Sequence, residues 1–284
     1  MIIPGADTQA FAAALAEETG ERLGRVEYER FADGEHVVRV PEAVEGERAV
    51  VVASTVDSDA HVQLLQLQDA VRETGASDVV TVLPYMGYAR QDEAFQPGEP
   101  VSSRAMARAI STGTDRVITV NPHEPSVCDF FDVPTTHVDA AGLLADPLPE
   151  DLEDPLFLSP DEGAIDLPIT ARDAYGEGET DFFEKERDYD SGDIEITPSD
   201  ADVAGRDVVL VDDIIATGST MSESVAVLAE RDARRIFVTC VHPMLASNAL
   251  TKLSAAGVDA VYGTDTLERA VSEVSAAPAV AAEL

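Results

Sequence analysis

The chain has 284 residues, 45% hydrophobic and 26% charged, which fits two globular domains and excludes a fibrous or disordered protein. Fifty-five acidic residues against nineteen basic ones leave a formal charge of -36. Such a field repels polyanions, so sequence-independent binding to nucleic acid or to an anionic membrane is excluded and any phosphate site has to be local. The only lysines are Lys185 and Lys252, and tryptophan is absent. An acidic, lysine-poor surface points to a concentrated-salt cytoplasm, where the Debye length shrinks to a few ångströms.

In chain order, the pattern predicts a helix over 8–19, a strand over 49–53, a helix over 61–73 and a strand over 79–83. A helix over 102–111, a strand over 117–120, a short strand over 156–158 and a strand over 208–211 follow, then a helix over 219–231 and a strand over 236–241. Short β-branched runs alternating with Ala/Leu/Glu segments make an α/β pattern with buried parallel strands. An internal echo supports two related halves: GERAVVVAST, LLQLQDAVRETG and SDVVTVLPY match AGRDVVLVDD, STMSESVAVLAERD and RRIFVTCVHP in order. The Pro/Asp-rich stretch 146–155 reads as a linker, giving domains 1–145 and 146–284, with the last helix expected to pack on the first domain. The charged, Gly-punctuated stretch 176–192 reads as a mobile loop rather than core. The N-terminus lacks a basic segment followed by an apolar one, and no run of about 18 apolar residues occurs, so a soluble, cytoplasmic protein is expected. Cys128 and Cys240 have neither metal-site nor disulfide-framework spacing and read as small buried apolar residues.

The most informative run is VVLVDDIIATGST, residues 208–220. Apolar β-formers end in the paired acids Asp212 and Asp213, and a loop of small residues precedes the next helix. Ligands of open α/β sheets bind beyond the carboxyl ends of the strands, so both acids are expected at a crevice. Ala216, Thr217, Gly218, Ser219 and Thr220 would offer backbone N–H groups, hydroxyls and a helix N-terminus to a phosphate. Carboxylates that accept from sugar hydroxyls, beside a phosphate cradle, make a sugar-phosphate holder that fixes the reacting carbon. For TGST by itself, a plain Ser/Thr helix cap is the alternative.

That run resembles the PRPP-binding loop of the phosphoribosyltransferase fold, and further blocks narrow the resemblance to the ribose-phosphate pyrophosphokinase (PRPP synthetase) family. They are FADGE at 31–35, YARQD at 88–92 with FQPGEPVSS after it, ITVNPHEPSVCDFFDVP, SPDEGA at 159–164, KER at 185–187 and VDDIIATGST, in that order over nearly the whole chain. The resemblance implies an α/β fold of two tandem phosphoribosyltransferase-like domains, each with a central, mostly parallel sheet flanked by helices. With the composition, it suggests a halophilic member. The first copy has Ala53 and Ser54 where the second has Asp212 and Asp213, which implies loss of its sugar site.

The remaining roles come from the same resemblance, each with a physical sense. Phe31 with Asp33 and Glu35 suits stacking on a purine and accepting from its amino group. In the family these residues reach ATP bound largely by a neighbouring subunit, so a homo-oligomer is implied. The residues alone also fit a DG turn between two strands with Phe31 in the core. Arg90 can grip phosphate bidentately, and with Gln91 it is implied to contact ATP; a surface arginine is the alternative. His123 and Asp161, each beyond a strand, match the family's Mg2+ ligands, His123 also meeting ATP; a lone histidine is otherwise a structural residue. Many members have aspartate at Asn121 and an apolar residue at Pro122. Lys185 and Arg187 match the cations that stabilise the transferring phosphoryl group, and retention of a rare lysine there argues for need, although Glu184 and Glu186 also permit a solvated charge run.

The implied reaction transfers the pyrophosphoryl group of ATP to the anomeric hydroxyl of ribose 5-phosphate, giving PRPP and AMP, with Mg2+ as cofactor. A PRPP-consuming phosphoribosyltransferase would share VDDIIATGST but not need FADGE, ARQD and KER. A noncatalytic regulatory subunit of the family would not need Lys185, Arg187, His123 and Asp161.

Overall fold

The computed structural model describes residues 1–187, 194–198 and 201–284, with the side chains of 185–187 and 194–198 outside the described set. The chain divides into two compact units, Met1–Asp139 with Thr266–Glu268 and Ser275–Leu284, and Ala140–Asp265 with Arg269–Val274. The division falls at Asp139 and Ala140, ahead of the Pro/Asp-rich stretch expected to be the linker. Leu144, Leu148 and Leu152 are buried within the second unit, and these apolar anchors hold residues 146–155 against it.

The first unit runs β1 (Ile2–Pro4), α1 (Gln9–Thr19), the antiparallel hairpin β2 (Glu27–Arg30) and β3 (His36–Arg39), then β4 (Arg48–Val52), α2 (Ser58–Glu73), β5 (Asp78–Leu83), α3 (Ser102–Ser111), β6 (Arg116–Val120) and β7 (Thr135–Val138). Its sheet has the order β1-β4-β5-β6-β7, every pair parallel. Val51, Leu64, Leu67, Val79, Leu83 and Ile110 lie in its core. Helix α2 begins at Ser58, ahead of the expected 61, because the Asp57 carboxylate accepts from the Ala60 N–H at 2.8 Å and caps it there.

The second unit repeats that series as β8 (Leu156–Ser159), α4 (Asp166–Tyr175), β9 (Glu179–Arg187), β10 (Ile194–Pro198), β11 (Asp207–Ile214), α5 (Ser219–Glu230), β12 (Arg235–His242), α6 (Ala249–Ala256), β13 (Ala260–Thr264) and β14 (Ser272–Val274). The order β8-β11-β12-β13-β14 is again parallel throughout, with β9 and β10 added beside β8. Among the described residues, β9 and β10 are the antiparallel pair of this sheet. The internal echo in the sequence is therefore β4-α2-β5 against β11-α5-β12. A last helix, α7 (Ala277–Ala281), belongs to the first unit and packs on α1.

Two expectations are corrected here. Residues 179–187 form strand β9, not a loop: paired in parallel with β8, the strand buries Phe183 at 1% exposure, and its charged flanks hid one inward ring. Residues 188–192 of that stretch lie outside the described residues. Strand β11 also runs past 211 to Ile214, because β12 continues alongside to pair Asp212 with Cys240 and Ile214 with His242.

Candidate active site

In the second unit the chain leaves β8 toward β9 and leaves β11 toward β12, in opposite directions across the sheet. The carboxyl ends of these adjacent strands therefore form a switch-point crevice. Leu158 stands opposite Leu210, which sets residues 159–164 beside residues 212–220. The buried Ser159 hydroxyl donates to the Asp161 carbonyl at 2.6 Å and turns the chain as it leaves β8.

Asp212 and Asp213 are partly buried at the end of β11. The Asp213 N–H donates to Asp212 Oδ1 at 2.9 Å, and the Ile214 N–H donates to Asp213 Oδ1 at 2.7 Å. Burial, then repulsion from Asp213 and from Asp161, pushes the Asp212 carboxyl well above the usual range. Crowded carboxylates of this kind favour whatever relieves them: sugar hydroxyls that donate, or a cation. Burial, with the same acids, also raises the Cys240 thiol behind them. Cys240 is buried as expected, whereas Cys128 is only half-buried, in a 3-10 segment over Pro125–Phe130.

The loop after β11 is held against α6. Gly218, at φ +70°, caps α5, and a Cβ there would lie 3.2 Å from the Cα and Cβ of Ala249. The Ala246 N–H donates to the Ala216 carbonyl at 2.8 Å. Thr217 and Thr220 are exposed, and Thr217 Oγ1 lies 3.5 Å from Ser219 Oγ. Hydroxyls and a helix N-terminus thus gather at the open end of the sheet. Lys252 on α6, which sequence reasoning left without a role, donates to Ser219 Oγ at 2.8 Å and to the Thr217 carbonyl at 3.3 Å. The signal that could have found it is the scarcity of lysine.

In the first unit, FADGE is the tip of the β2-β3 hairpin. The Phe31 N–H donates to the Glu35 carbonyl at 2.8 Å, and the Glu35 N–H donates to Asp33 Oδ1 at 3.2 Å. Phe31 is 45% exposed, so the turn is as the residues allowed but the ring is not in the core. Arg90 and Gln91 follow β5, and His123 follows β6, the neighbouring strand, so all three stand at the carboxyl end of that sheet. Arg90 and His123 are exposed. Gln91 is tethered to the start of α3: Ser102 Oγ donates to its Oε1, and Ser103 Oγ donates to its carbonyl at 3.0 Å. Among the described residues the Gln91 amide NH2 has no such tether. Asn121, at φ +33°, is buried and donates from Nδ2 to Asp139 at 2.8 Å. That turn brings the chain out to His123, and asparagine tolerates the left-handed region better than most residues.

The structure thus gathers Asp161, Asp212, Asp213 and residues 216–220 in the second unit, and Arg90, Gln91 and His123 at one sheet end of the first. Phe31, Asp33 and Glu35 ride on the separate hairpin, and the side chains of Lys185 and Arg187 lie outside the described residues. Among the described residues no group of three or more His, Cys, Asp or Glu is arranged to hold a metal ion. The carboxylates of the crevice are hard oxygen donors, which fits a divalent ion carried mostly by water and phosphate oxygens rather than caged by protein.

Comparison with known proteins agrees with this geometry. Residues 1–113 match the model of the N-terminal domain of ribose phosphate pyrophosphokinase, and residues 140–268 match the phosphoribosyl transferase domain. The chain is 63% identical over 281 residues to the ribose-phosphate pyrophosphokinase of Halobacterium salinarum, covering 99% of each. It is 44% identical to that of Methanopyrus kandleri, covering 94% of this chain and 92% of the relative. The crystal structure of phosphoribosylpyrophosphate synthetase from Mycobacterium smegmatis matches with a TM-score of 0.86 at 28% identity, covering 100% of this chain and 96% of that one.

Proposed function

The chain belongs to the ribose-phosphate pyrophosphokinase family, and from that premise we propose how its residues share the transfer of a pyrophosphoryl group from ATP to ribose 5-phosphate. The anomeric hydroxyl attacks the β-phosphorus in line, the bond to the α-phosphate oxygen breaks, and PRPP and AMP result. The observation that carries the reading is the second unit's crevice, where three crowded carboxylates stand beside a hydroxyl-lined helix N-terminus. A phosphorylated sugar satisfies both halves at once.

Asp212 and Asp213 accept from the ribose hydroxyls, and residues 216–220 hold the 5-phosphate, so the anomeric carbon is fixed by contacts at two ends. Residues 161–164 meet the transferred pyrophosphate. In the first unit, Arg90, Gln91 and His123 bind the phosphates of ATP. Phe31 stacks on the adenine of ATP held by a neighbouring subunit, with Asp33 and Glu35 accepting from its amino group. An apolar ring left exposed at a hairpin tip supports that role, and the enzyme is then a homo-oligomer. Lys185 and Arg187 counter the charge that builds on the β-phosphoryl oxygens and the departing α-phosphate.

The family needs a metal ion, and we take it to be Mg2+; within the second unit Asp161, and within the first unit His123, are the residues we assign to metal binding. Bound there, the ion supplies charge neutralisation on phosphate oxygens. Among the described residues no helix is long and apolar enough to cross a membrane, and the acidic composition supports a salt-rich cytoplasm as the place of work. A regulatory or PRPP-consuming role finds no support in the relatives, which are named for this activity along their whole length.

Phosphorus NMR of the purified protein in concentrated KCl, mixed with Mg-ATP and ribose 5-phosphate, tests the reading. AMP is expected to appear in step with a pyrophosphorylated ribose. No turnover with both ligands bound would overturn it in favour of the regulatory subunit.

A further inference from the structure

Only two of the nineteen basic residues are lysine, and the structure places Lys252 at the loop just described. It lies one helical turn past Ala249, the residue on which Gly218 packs. Its Nζ reaches Ser219 Oγ at 2.8 Å and the Thr217 carbonyl at 3.3 Å. Arg48, Arg72, Arg206 and Arg234 all pair with carboxylates, whereas among the described residues no carboxylate pairs with Lys252. Arg116 likewise donates to a hydroxyl and a carbonyl, those of Thr136 and Glu283, so what marks Lys252 is its place: in a protein carrying -36, its charge is directed into the loop beyond β11 and not at an acid.

We propose that Lys252 is a member of the ribose 5-phosphate site: its ammonium pins the turn from Thr217 to Ser219 and pairs with the 5-phosphate. The inference rests on reading residues 216–220 as the phosphate loop. An ammonium has three donors; two point into the loop, which leaves one for a phosphate oxygen. A helix N-terminus contributes only about half a positive charge, too little for a phosphate dianion brought to so acidic a protein, and Lys252 adds a full one. Concentrated salt screens distant charges but not groups in contact, so this pair survives the conditions that the composition implies. Lysine suits the position because a compact ammonium on a flexible stem can converge on two oxygens of one turn, whereas a guanidinium presents a rigid planar fork.

The test measures KM for each substrate and the calorimetric Kd for ribose 5-phosphate in concentrated KCl, for wild type, K252M, K252R and D213N. K252M keeps the stem and removes the charge. It is expected to raise KM and Kd for ribose 5-phosphate about 10- to 100-fold, the loss of a hydrogen bond to a charged group. KM for ATP is expected to stay unchanged, and K252R to recover part of the loss. Unchanged affinity for ribose 5-phosphate in K252M, or an equal rise in both KM values, would overturn the inference. D213N separates the two levels of the argument: it should also lose ribose 5-phosphate. If D213N binds it normally, the reading of the crevice falls, and the role of Lys252 with it.

Discussion

Replacing Gly218 by alanine tests whether the loop after β11 is held in the one shape a phosphate can use. Gly218 sits at φ +70°, where an L side chain costs about 1–2 kcal/mol. The added Cβ would also meet the Cα and Cβ of Ala249 at 3.2 Å and its carbonyl oxygen at 3.3 Å. Those atoms are mostly helix backbone, which cannot swing aside as the end of a long side chain would, so the loop itself has to move by a few tenths of an ångström. The same loop carries the Gly218 carbonyl that accepts the Ser222 N–H at 2.9 Å and the Ser219 hydroxyl that accepts from Lys252. If the strain is relieved only by leaving the phosphate-binding shape, binding loses the same ~1–2 kcal/mol, a factor of about 5–30. KM for ribose 5-phosphate should therefore rise about 5- to 30-fold while KM for ATP stays, and the melting temperature should fall by about 2–8 °C. Steady-state kinetics and thermal melts in the same KCl buffer measure both. A lowered melting temperature with an unchanged KM for ribose 5-phosphate would refute the argument, because strain would then be stored in the loop without touching its ligand.

Three other variants probe separate links. Asp207, with a fully buried side chain at the start of β11, accepts from Arg234 at 2.9 and 2.6 Å and from Arg235 at 3.1 and 2.6 Å. Burial pushes this carboxyl up, but hydrogen bonds from Arg235 and Arg234 outweigh it and hold it well below the usual range. Its stabilisation is thus present above about pH 4 and lost as pH falls further. D207N should lose about 3 kcal/mol in denaturant titrations, the low end for a broken buried pair because the guanidiniums are partly solvated; a loss below about 1 kcal/mol would contradict this. Asp212 has the opposite sign: its raised carboxyl makes the charged form unfavourable in the fold, so wild type gains stability as pH falls through the raised pKa. D212N should melt higher than wild type at neutral pH, lose that pH response and lose turnover; a lower melting point would count against the crowding argument. Lys185→Ala should lose most turnover while calorimetry still detects ATP binding, and near-normal turnover would remove Lys185 from the chemistry.

Much of the scaffold was legible because its strands are short β-branched runs buried on both faces, a pattern that few other structures share. The strands expected over 49–53, 79–83 and 117–120 appear as Arg48–Val52, Asp78–Leu83 and Arg116–Val120, and the helix over 102–111 has the same bounds. Strand β9 was not legible, since Glu179, Asp181, Glu184 and Lys185 surround the one buried ring, Phe183, and polarity outvotes a single inward residue. The hairpin tip was half legible: the DG turn announced itself, but whether Phe31 faces in or out depends on packing that local sequence does not encode. The paired acids and the TGST loop were readable because they sit at a strand end. Lys252 was not, because α6 follows a whole strand and loop later and only the fold returns it to Ser219. The rule that singled out Lys185, a lysine kept where others are absent, applied equally to Lys252.

The repeated topology also gives a physical account of why the proposed sugar site lies in the second copy and not in the first. The position equivalent to Asp212 and Asp213 in the first unit holds Ala53 and Ser54, buried at 5% and 2% exposure. The Ser54 hydroxyl donates to the Thr266 carbonyl at 2.7 Å, so the chain itself lies across the end of β4. The helix that follows β1 is stopped in the same way. Thr8 gives α1 no side-chain cap, and the Glu268 carboxylate instead accepts from the Ala10 and Phe11 N–H groups at 2.7 and 3.3 Å. A helix N-terminus that could draw a phosphate already has an anion in place. Residues 266–268 thus fill, within the first unit, the end of β4 and the N-terminus of α1, while α2, the counterpart of α5, carries the Asp57 carboxylate as its cap. With that crevice closed from inside, the parts of the first unit left exposed are the hairpin tip at Phe31 and the segment around Arg90 and His123, which is where the nucleotide contacts are proposed.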